Sequence, residues 1–215
     1  MNGKPLGIGL NSNQIVVATV EGRPYYKIVN MLKAMNIGFS SLSPEEASQT
    51  NAKIIITTKD EASLIKRQDL MYDFQLDTFP PVFKAMLLKN LSGNHIEDIL
   101  VVGVDPGIRI GIYVLYLHSD LYSTVQSSLR EAIKFIINIM SCINSNKKIL
   151  KIGNGDSTIC NHIAKEINNQ NRSVRIEIVN EFGTSQNILP NCRGNKDARS
   201  ARSIALRPGR IFQID

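Results

Sequence analysis

The chain has 215 residues, 43% of them hydrophobic and 20% charged, with a formal net charge of +6. At roughly 150 residues per domain this length accommodates one large domain or two small ones, and the apolar content argues against a disordered chain. No apolar run approaches the ~18 residues of a spanning helix, and the first stretch lacks the basic, apolar and small-residue succession of a secretory peptide, so a cytoplasmic protein with no membrane partner is expected.

Cys142, Cys160 and Cys192 form no C-x-x-C pair. They read as reduced thiols, with neither a disulfide framework nor a structural zinc site. The charge is unevenly placed: residues 1–98 carry ten bases and ten acids, residues 99–215 fifteen and nine, and residues 193–215 alone hold six bases and two acids. A neutral module joined to a basic one predicts an anionic partner for the second, of which nucleic acid is the commonest.

The first half reads as a small α/β unit. Ile15 to Val20 is a β-branched run; Tyr25 to Met35 has helical spacing through Ile28, Leu32 and Met35. Ile37 to Phe39 reads as a short strand, Ser43-Pro44-Glu45-Glu46 as a helix start, and Ala52 to Thr57 as a strand. Asp69 to Pro81 is irregular, Phe79-Pro80-Pro81 breaks any element there, and Val82 to Leu91 resumes as a helix. Ser92-Gly93-Asn94-His95 is the linker, which sets the domains at 1–98 and 99–215.

The strongest signal follows it: Ile99-Leu-Val-Val-Gly-Val-Asp105-Pro-Gly-Ile-Arg-Ile-Gly-Ile-Tyr-Val-Leu-Tyr116. An apolar strand ends at an aspartate, turns through Pro106-Gly107 and returns. A turn at Ser119-Asp120 and a third strand at Leu121 to Val125 come next. Ser127 to Ile143 is a long amphipathic helix, Ile149 to Ile152 a strand, Ser157 to Ile167 a helix, Val174 to Val179 a strand and Lys196 to Leu206 a helix. Three adjacent strands followed by two strand and helix alternations imply a mixed sheet with helices on its faces.

Three carboxylates stand where a packed core has no use for them. Asp105 and Glu181 lie at the carboxyl ends of strands, where ligands of open α/β folds gather. Asp197 opens the last helix on the same face as Ala201 and Ile204, and an acid on that face is costly to bury unless paired or bound to metal. Together they suit Mg²⁺ or Mn²⁺, which prefer oxygen ligands, and the chemistry such a cluster supports is phosphodiester hydrolysis. Gly153-Asn154-Gly155-Asp156-Ser157 permits a tight turn whose Asp156 or Ser157 caps the next helix. The turn reads either as a plain strand-to-helix connection or as a phosphate receptor. Thr184 and Ser185 offer further donors after Glu181. Lys196 either contacts phosphate or compensates the acids, and Arg207 and Arg210 can line an approach to them. His95, His118 and His162 lack metal-ligand spacing.

These residues resemble a known superfamily. Val102-Gly-Val-Asp-Pro-Gly-Ile-Arg-Ile-Gly111 resembles the opening hairpin of the RNase H-like fold in its RuvC and YqgF branch, which implies that Asp105 is the first catalytic aspartate. Ile152-Gly-Asn-Gly-Asp-Ser-Thr158 is similar to the fourth-strand turn of the YqgF-like domain in the transcription accessory protein Tex. Val179-Asn-Glu-Phe-Gly-Thr-Ser185 is similar to the next strand end, implying the family glutamate at Glu181. Asp197-Ala-Arg-Ser-Ala-Arg-Ser-Ile-Ala-Leu206 resembles the helix that supplies the last aspartate. RuvC resolvases carry a glutamate at the end of the fourth strand, where this chain has Gly153, and the YqgF pattern implies that Glu181 replaces it. With the first half included, the whole chain resembles an archaeal-type nuclease of the RuvC and YqgF group, and the resemblance implies an RNase H-like mixed five-stranded sheet flanked by helices, preceded by a small α/β domain, and a metal-dependent nuclease acting on structured DNA or RNA. Tex-like domains imply a rival, a non-catalytic nucleic-acid-binding module. An actin-like or sugar-kinase ATPase also starts with an aspartate hairpin but needs two such lobes, and the first half has no matching one. The first half is left with dimerisation, substrate selection or a partner surface, so a homodimer stands beside nucleic acid as a partner.

Overall fold

The computed structural model describes residues 14–93, 97–181 and 193–213. His95, Thr184, Ser185 and Cys192 therefore lie outside the described residues. The chain divides into two compact units, one within Gly7–Ile96 and one within Glu97–Asp215.

The N-terminal unit is built on four parallel strands in the order β2-β1-β3-β4. The central strands β1 (Ile15–Ala18) and β3 (Ile54–Thr57) are buried at every position, as a parallel strand covered on both faces must be. Strand alternation divides their side chains. Ile15, Val17, Ile54 and Ile56 pack with Ile28 and Leu32 of α1 (Gly22–Ala34) and with Phe83 and Leu87 of α3 (Pro80–Ser92). Val16, Ala18 and Ile55 pack with Ala47 of α2 (Pro44–Ala47) and with Ile65. Ser43 and Glu46 close a reciprocal cap at the start of α2, as the Ser-Pro-Glu-Glu pattern predicts.

Three local expectations change. The apolar run Ile37 to Phe39 is not a strand: the Ile37 N–H bonds the Leu32 carbonyl at 2.9 Å, Asn36 takes a φ of 54°, and Ile37 plugs the core, so β2 starts only at Ser40 (Ser40–Leu42). The irregular segment contains a three-residue parallel edge strand, β4 (Leu70–Tyr72), followed by a 3-10 turn at Asp73–Asp77. Pro80 and Pro81 do not break α3 but begin it, because the first helical turn has no use for their missing N–H groups.

The C-terminal unit is a six-stranded mixed sheet in the order β10-β9-β8-β5-β6-β7. β5 (Ile99–Asp105), β6 (Ile110–Tyr116) and β7 (Ser119–Gln126) are antiparallel neighbours. After α4 (Leu129–Cys142), β8 (Lys147–Gly153) pairs parallel to β5; after α5 (Ser157–Gln170), β9 (Arg175–Val179) pairs parallel to β8. α6 (Arg193–Leu206) follows, and β10 (Arg210–Ile211) adds an antiparallel edge to β9, a sixth strand beyond the expected five. The β6–β7 turn falls at Leu117-His118, not at Ser119-Asp120. Both residues have positive φ, 51° and 59°, the backbone twist that two-residue hairpins require, and the Leu117 N–H also bonds the Ile99 carbonyl.

What positions the site is the seat of α6. Ala201, Ile204 and Ala205 are buried against the sheet. A side chain at Gly103 would stand 2.6 Å from the Ala205 Cβ and closer still to the Ala201 carbonyl, and one at Gly111 would stand 2.6 Å from the Asp197 carbonyl carbon. Glycine at these two strand positions lets the helix backbone rest directly on β5 and β6. Among the described residues no helix is long and apolar enough to cross a membrane. Cys142 is exposed and Cys160 buried, and both are free thiols.

Candidate functional site

Asp105 is the last residue of β5 and pairs with Gly111 across the hairpin. Because Gly111 has no side chain, the Asp197 backbone of α6 lies on that same strand position. Asp197 is in the second turn of α6 rather than opening it, since the helix begins at Arg193, yet it keeps the expected stripe with buried Ala201 and Ile204.

Glu181 reaches the same edge of the sheet from two residues beyond β9. Its backbone N–H donates to the Asn154 Oδ1 at 3.0 Å, and its carboxylate Oε1 accepts the Gly155 N–H at 3.0 Å. A side chain at Gly155 would stand 2.5 Å from Glu181 Oε2, and one at Gly153 would run into Oε1. The two glycines of the turn are thus the floor on which the glutamate lies.

Asp105 senses the other two acids. The Asp105 carboxyl is pushed up to about 6, by burial first, then by the negative charges of Glu181 and Asp197; a hydrogen bond from Ser200 and the charge of Lys196 partly offset this. Asp197 in turn faces the Arg109 guanidinium, with Nε 3.6 Å from Oδ2. Each acid therefore has a protein partner: Ser200 and Lys196 for Asp105, the Gly155 amide for Glu181, Arg109 for Asp197. Among the described residues, no three His, Cys, Asp or Glu side chains are gathered closely enough to hold a metal ion by themselves.

The binding residues expected around the acids divide. The amide of Gly155 is spent on Glu181, and Asp156 caps α5 by accepting the N–H groups of Thr158 and Ile159, both at 3.0 Å. As a result, the turn Gly153-Asn154-Gly155-Asp156-Ser157 holds an acid and closes its own helix rather than presenting an open phosphate cradle. Lys196 is exposed and acts on Asp105 as a compensating charge. Arg207 donates to the Asn180 carbonyl at 3.3 Å, one residue before Glu181, and its own carbonyl accepts Lys151 Nζ at 2.6 Å. Arg210 is exposed on β10. Arg199 is exposed, whereas Arg202 bonds the Tyr113 hydroxyl at 3.1 Å and faces Asp120 at 3.6 Å, within its own unit.

Sequence reasoning missed Arg109, Ser200 and the two strand glycines. Gly103 and Gly111 carried a signal, since glycine inside an otherwise apolar strand marks a close backbone approach. Ser200 lies one turn after Asp197 on the sheet-facing side. Arg109 had no local signal, because its partner lies far along the chain.

Comparison with known proteins gives three results. Residues 14–76, which span β1 to β4 of the N-terminal unit, match the family model of a response regulator receiver-like domain. No curated protein matches the chain. Among solved structures the chain is similar to the Argonaute of Marinitoga piezophila, in complex with 5′ OH guide RNA and target DNA, at 14% identity and a TM-score of 0.28; the alignment covers 80% of this chain and 40% of that one. The N-terminal unit, whose role the sequence leaves open, is thus similar over residues 14–76 to receiver-like domains.

Proposed function

We propose that the C-terminal unit is an RNase H-like domain of the RuvC and YqgF kind, and that it is a divalent-metal-dependent nuclease hydrolysing phosphodiester bonds in structured nucleic acid, a DNA junction or RNA. The observation that carries this reading is the convergence of the three acids at one edge of the sheet: the Asp197 backbone lies on Gly111, the strand partner of Asp105, Glu181 lies on Gly153 and Gly155, and Asp105 is raised by burial first and then by the charges of the other two. Three acids distant in sequence stand near enough at one sheet edge for two of them to add to the effect of burial on the third, an arrangement that costs folding energy and is typical of functional sites. The order of elements supports the fold: three antiparallel neighbours, then two parallel strands each preceded by a helix.

The donors are all oxygen, the ligand type Mg²⁺ and Mn²⁺ prefer, and a cation that drew the three carboxylates closer than they stand without it would relieve the repulsion on Asp105. Asp105, Glu181 and Asp197 would hold it; when bound, such a metal activates water and stabilises the leaving oxygen. The chain's own groups do the rest. The Gly155 amide fixes the Glu181 carboxylate, the Ser200 hydroxyl orients Asp105, and the flanking Arg109, Lys196, Arg207 and Arg210 offset repulsion between the acids and a phosphate backbone.

A second reading is a non-catalytic nucleic-acid-binding module of the same fold. It is favoured by the protein partner that each acid already has and by the lack, among the described residues, of three ligands gathered for a metal. Cleavage assays on branched DNA, duplex DNA, RNA and RNA–DNA hybrids with Mg²⁺ or Mn²⁺ decide between them. The nuclease reading expects Asp105→Asn, Glu181→Gln and Asp197→Asn each to lower cleavage by orders of magnitude. Cleavage that survives all three, or persists in excess EDTA, refutes it. Binding without cleavage by the wild type selects the second reading.

A further inference from the structure

We infer that the tip of the β5–β6 hairpin engages the substrate directly: Ile108 buries itself against an unstacked base and Arg109 meets the adjoining phosphate, so that the site selects nucleic acid with an opened base step over continuous duplex. The inference rests on the nucleic-acid reading above and names the substrate feature that reading leaves open. Its starting point is Ile108, 98% exposed, against 76% for Val20, the next most exposed large apolar residue among those described. A lone exposed isoleucine is unremarkable in general. Its place here is specific.

The strands that carry the tip are paired up to Asp105 and Gly111, and Val104 and Ile110 on either side are buried at 0% and 2% exposure. Pro106 is itself buried and fixes its own φ, so Ile108 stands on a short braced link. Three residues before it is Asp105, and the next residue is Arg109, whose guanidinium faces Asp197 while its side chain stays 53% exposed. An apolar tip and a cation are thus carried side by side at the mouth of the acidic cluster. The cation suits a phosphate, which the acids alone would repel, and the basic surplus of this half of the chain suits the polyanion as a whole. In a continuous duplex the base faces are covered by stacking. A continuous duplex offers an aliphatic tip little more than thymine methyl groups, so the side chain removes most of its surface from water by entering a base step or meeting a base already unstacked.

The test uses the full chain in EDTA, so that binding is read without cleavage. The probes are a four-way DNA junction, a bulged RNA duplex, and continuous duplexes of the same composition, with 2-aminopurine at the branch or bulge. The wild type is expected to prefer the opened probes and to raise the 2-aminopurine fluorescence. Ile108→Ser should weaken binding to the opened probes about tenfold to hundredfold, the factor for exposing a buried isoleucine. It should leave duplex binding unchanged and abolish the fluorescence change, while Ile108→Leu retains both. Since Ile108 is 98% exposed, an unchanged melting curve will show that Ile108→Ser folds. An Ile108→Ser variant that discriminates like the wild type overturns the inference and leaves the tip to a protein partner; if metal-dependent cleavage is still lost in Asp105→Asn, the nuclease reading survives that result. A wild type that binds none of the probes and cleaves nothing overturns both.

Discussion

Asp105→Asn should make the metal-free protein more stable at neutral pH, although it removes a residue from the centre of the candidate site. The carboxyl is pushed from 3.8 to about 6 by burial, Glu181 and Asp197, so folding disfavours its ionised form. At 1.36 kcal/mol per unit, a displacement of about two units corresponds to roughly 3 kcal/mol. Because the folded state binds this proton more tightly than the unfolded state, the wild type gains stability below the unfolded value. It loses that stability as pH rises from about 4 through about 6, and does not regain it above. The amide has no charge to repel, so the variant should lack this loss and exceed the wild type by about 1–3 kcal/mol at neutral pH, with the two converging near pH 4. Urea unfolding in EDTA across that pH range, with amide exchange on β5 reporting the C-terminal unit, measures the difference. Mg²⁺ should stabilise the wild type and leave the variant nearly unmoved. A variant less stable than the wild type at neutral pH, or a gap that does not change with pH, would refute the claim that burial and the two neighbouring acids raise Asp105.

Gly111→Ala brings a Cβ to 2.6 Å from the Asp197 carbonyl carbon, so α6 must lift from β6; a loss of about 1–3 kcal/mol in urea unfolding is expected, with the acids drawn apart. In the N-terminal unit, buried Glu61 accepts the Val20 N–H at 2.9 Å and the Thr58 hydroxyl at 3.0 Å. Glu61→Ala leaves the Val20 N–H unpaired and the Thr58 hydroxyl with the Glu21 carboxylate at 3.2 Å, and should cost about 1–3 kcal/mol, while Glu61→Gln, which keeps an acceptor, should cost less in the same unfolding assay. Arg207→Ala combined with Arg210→Ala should weaken nucleic-acid binding across sequences and flatten its log-log salt slope by up to about two, one for each lost phosphate contact, leaving Mn²⁺ affinity nearly unchanged. A filter-binding titration against KCl checks this, and an unchanged slope assigns both arginines to packing or solubility.

Elements whose cause lies within a few residues were legible in the sequence. The apolar run closed by the turn residues Asp105-Pro106-Gly107 forms a strand and its return, Ser43 and Glu46 cap their own helix, and the stripe Ile133, Ile136 and Met140 is buried as its spacing requires. The end-of-strand position of Asp105 and the sheet-facing side of Asp197 belong to the same class, because strand and helix periods fix which way a side chain points. Partners far apart in the chain were decided by tertiary structure alone. Ile37 fills a core instead of extending a strand, Leu70 to Tyr72 becomes a strand only because β3 offers it an edge, and Arg210-Ile211 pairs only because α6 returns the chain beside β9. The meeting of Glu181 with Gly155, of Arg109 with Asp197 and of Ser200 with Asp105 depends on strand register and on α6 settling onto Gly103 and Gly111. A missing side chain on a strand declares that something comes close; only the packed sheet determines that it is the backbone of the helix carrying Asp197, since that choice is made by contacts no local pattern contains.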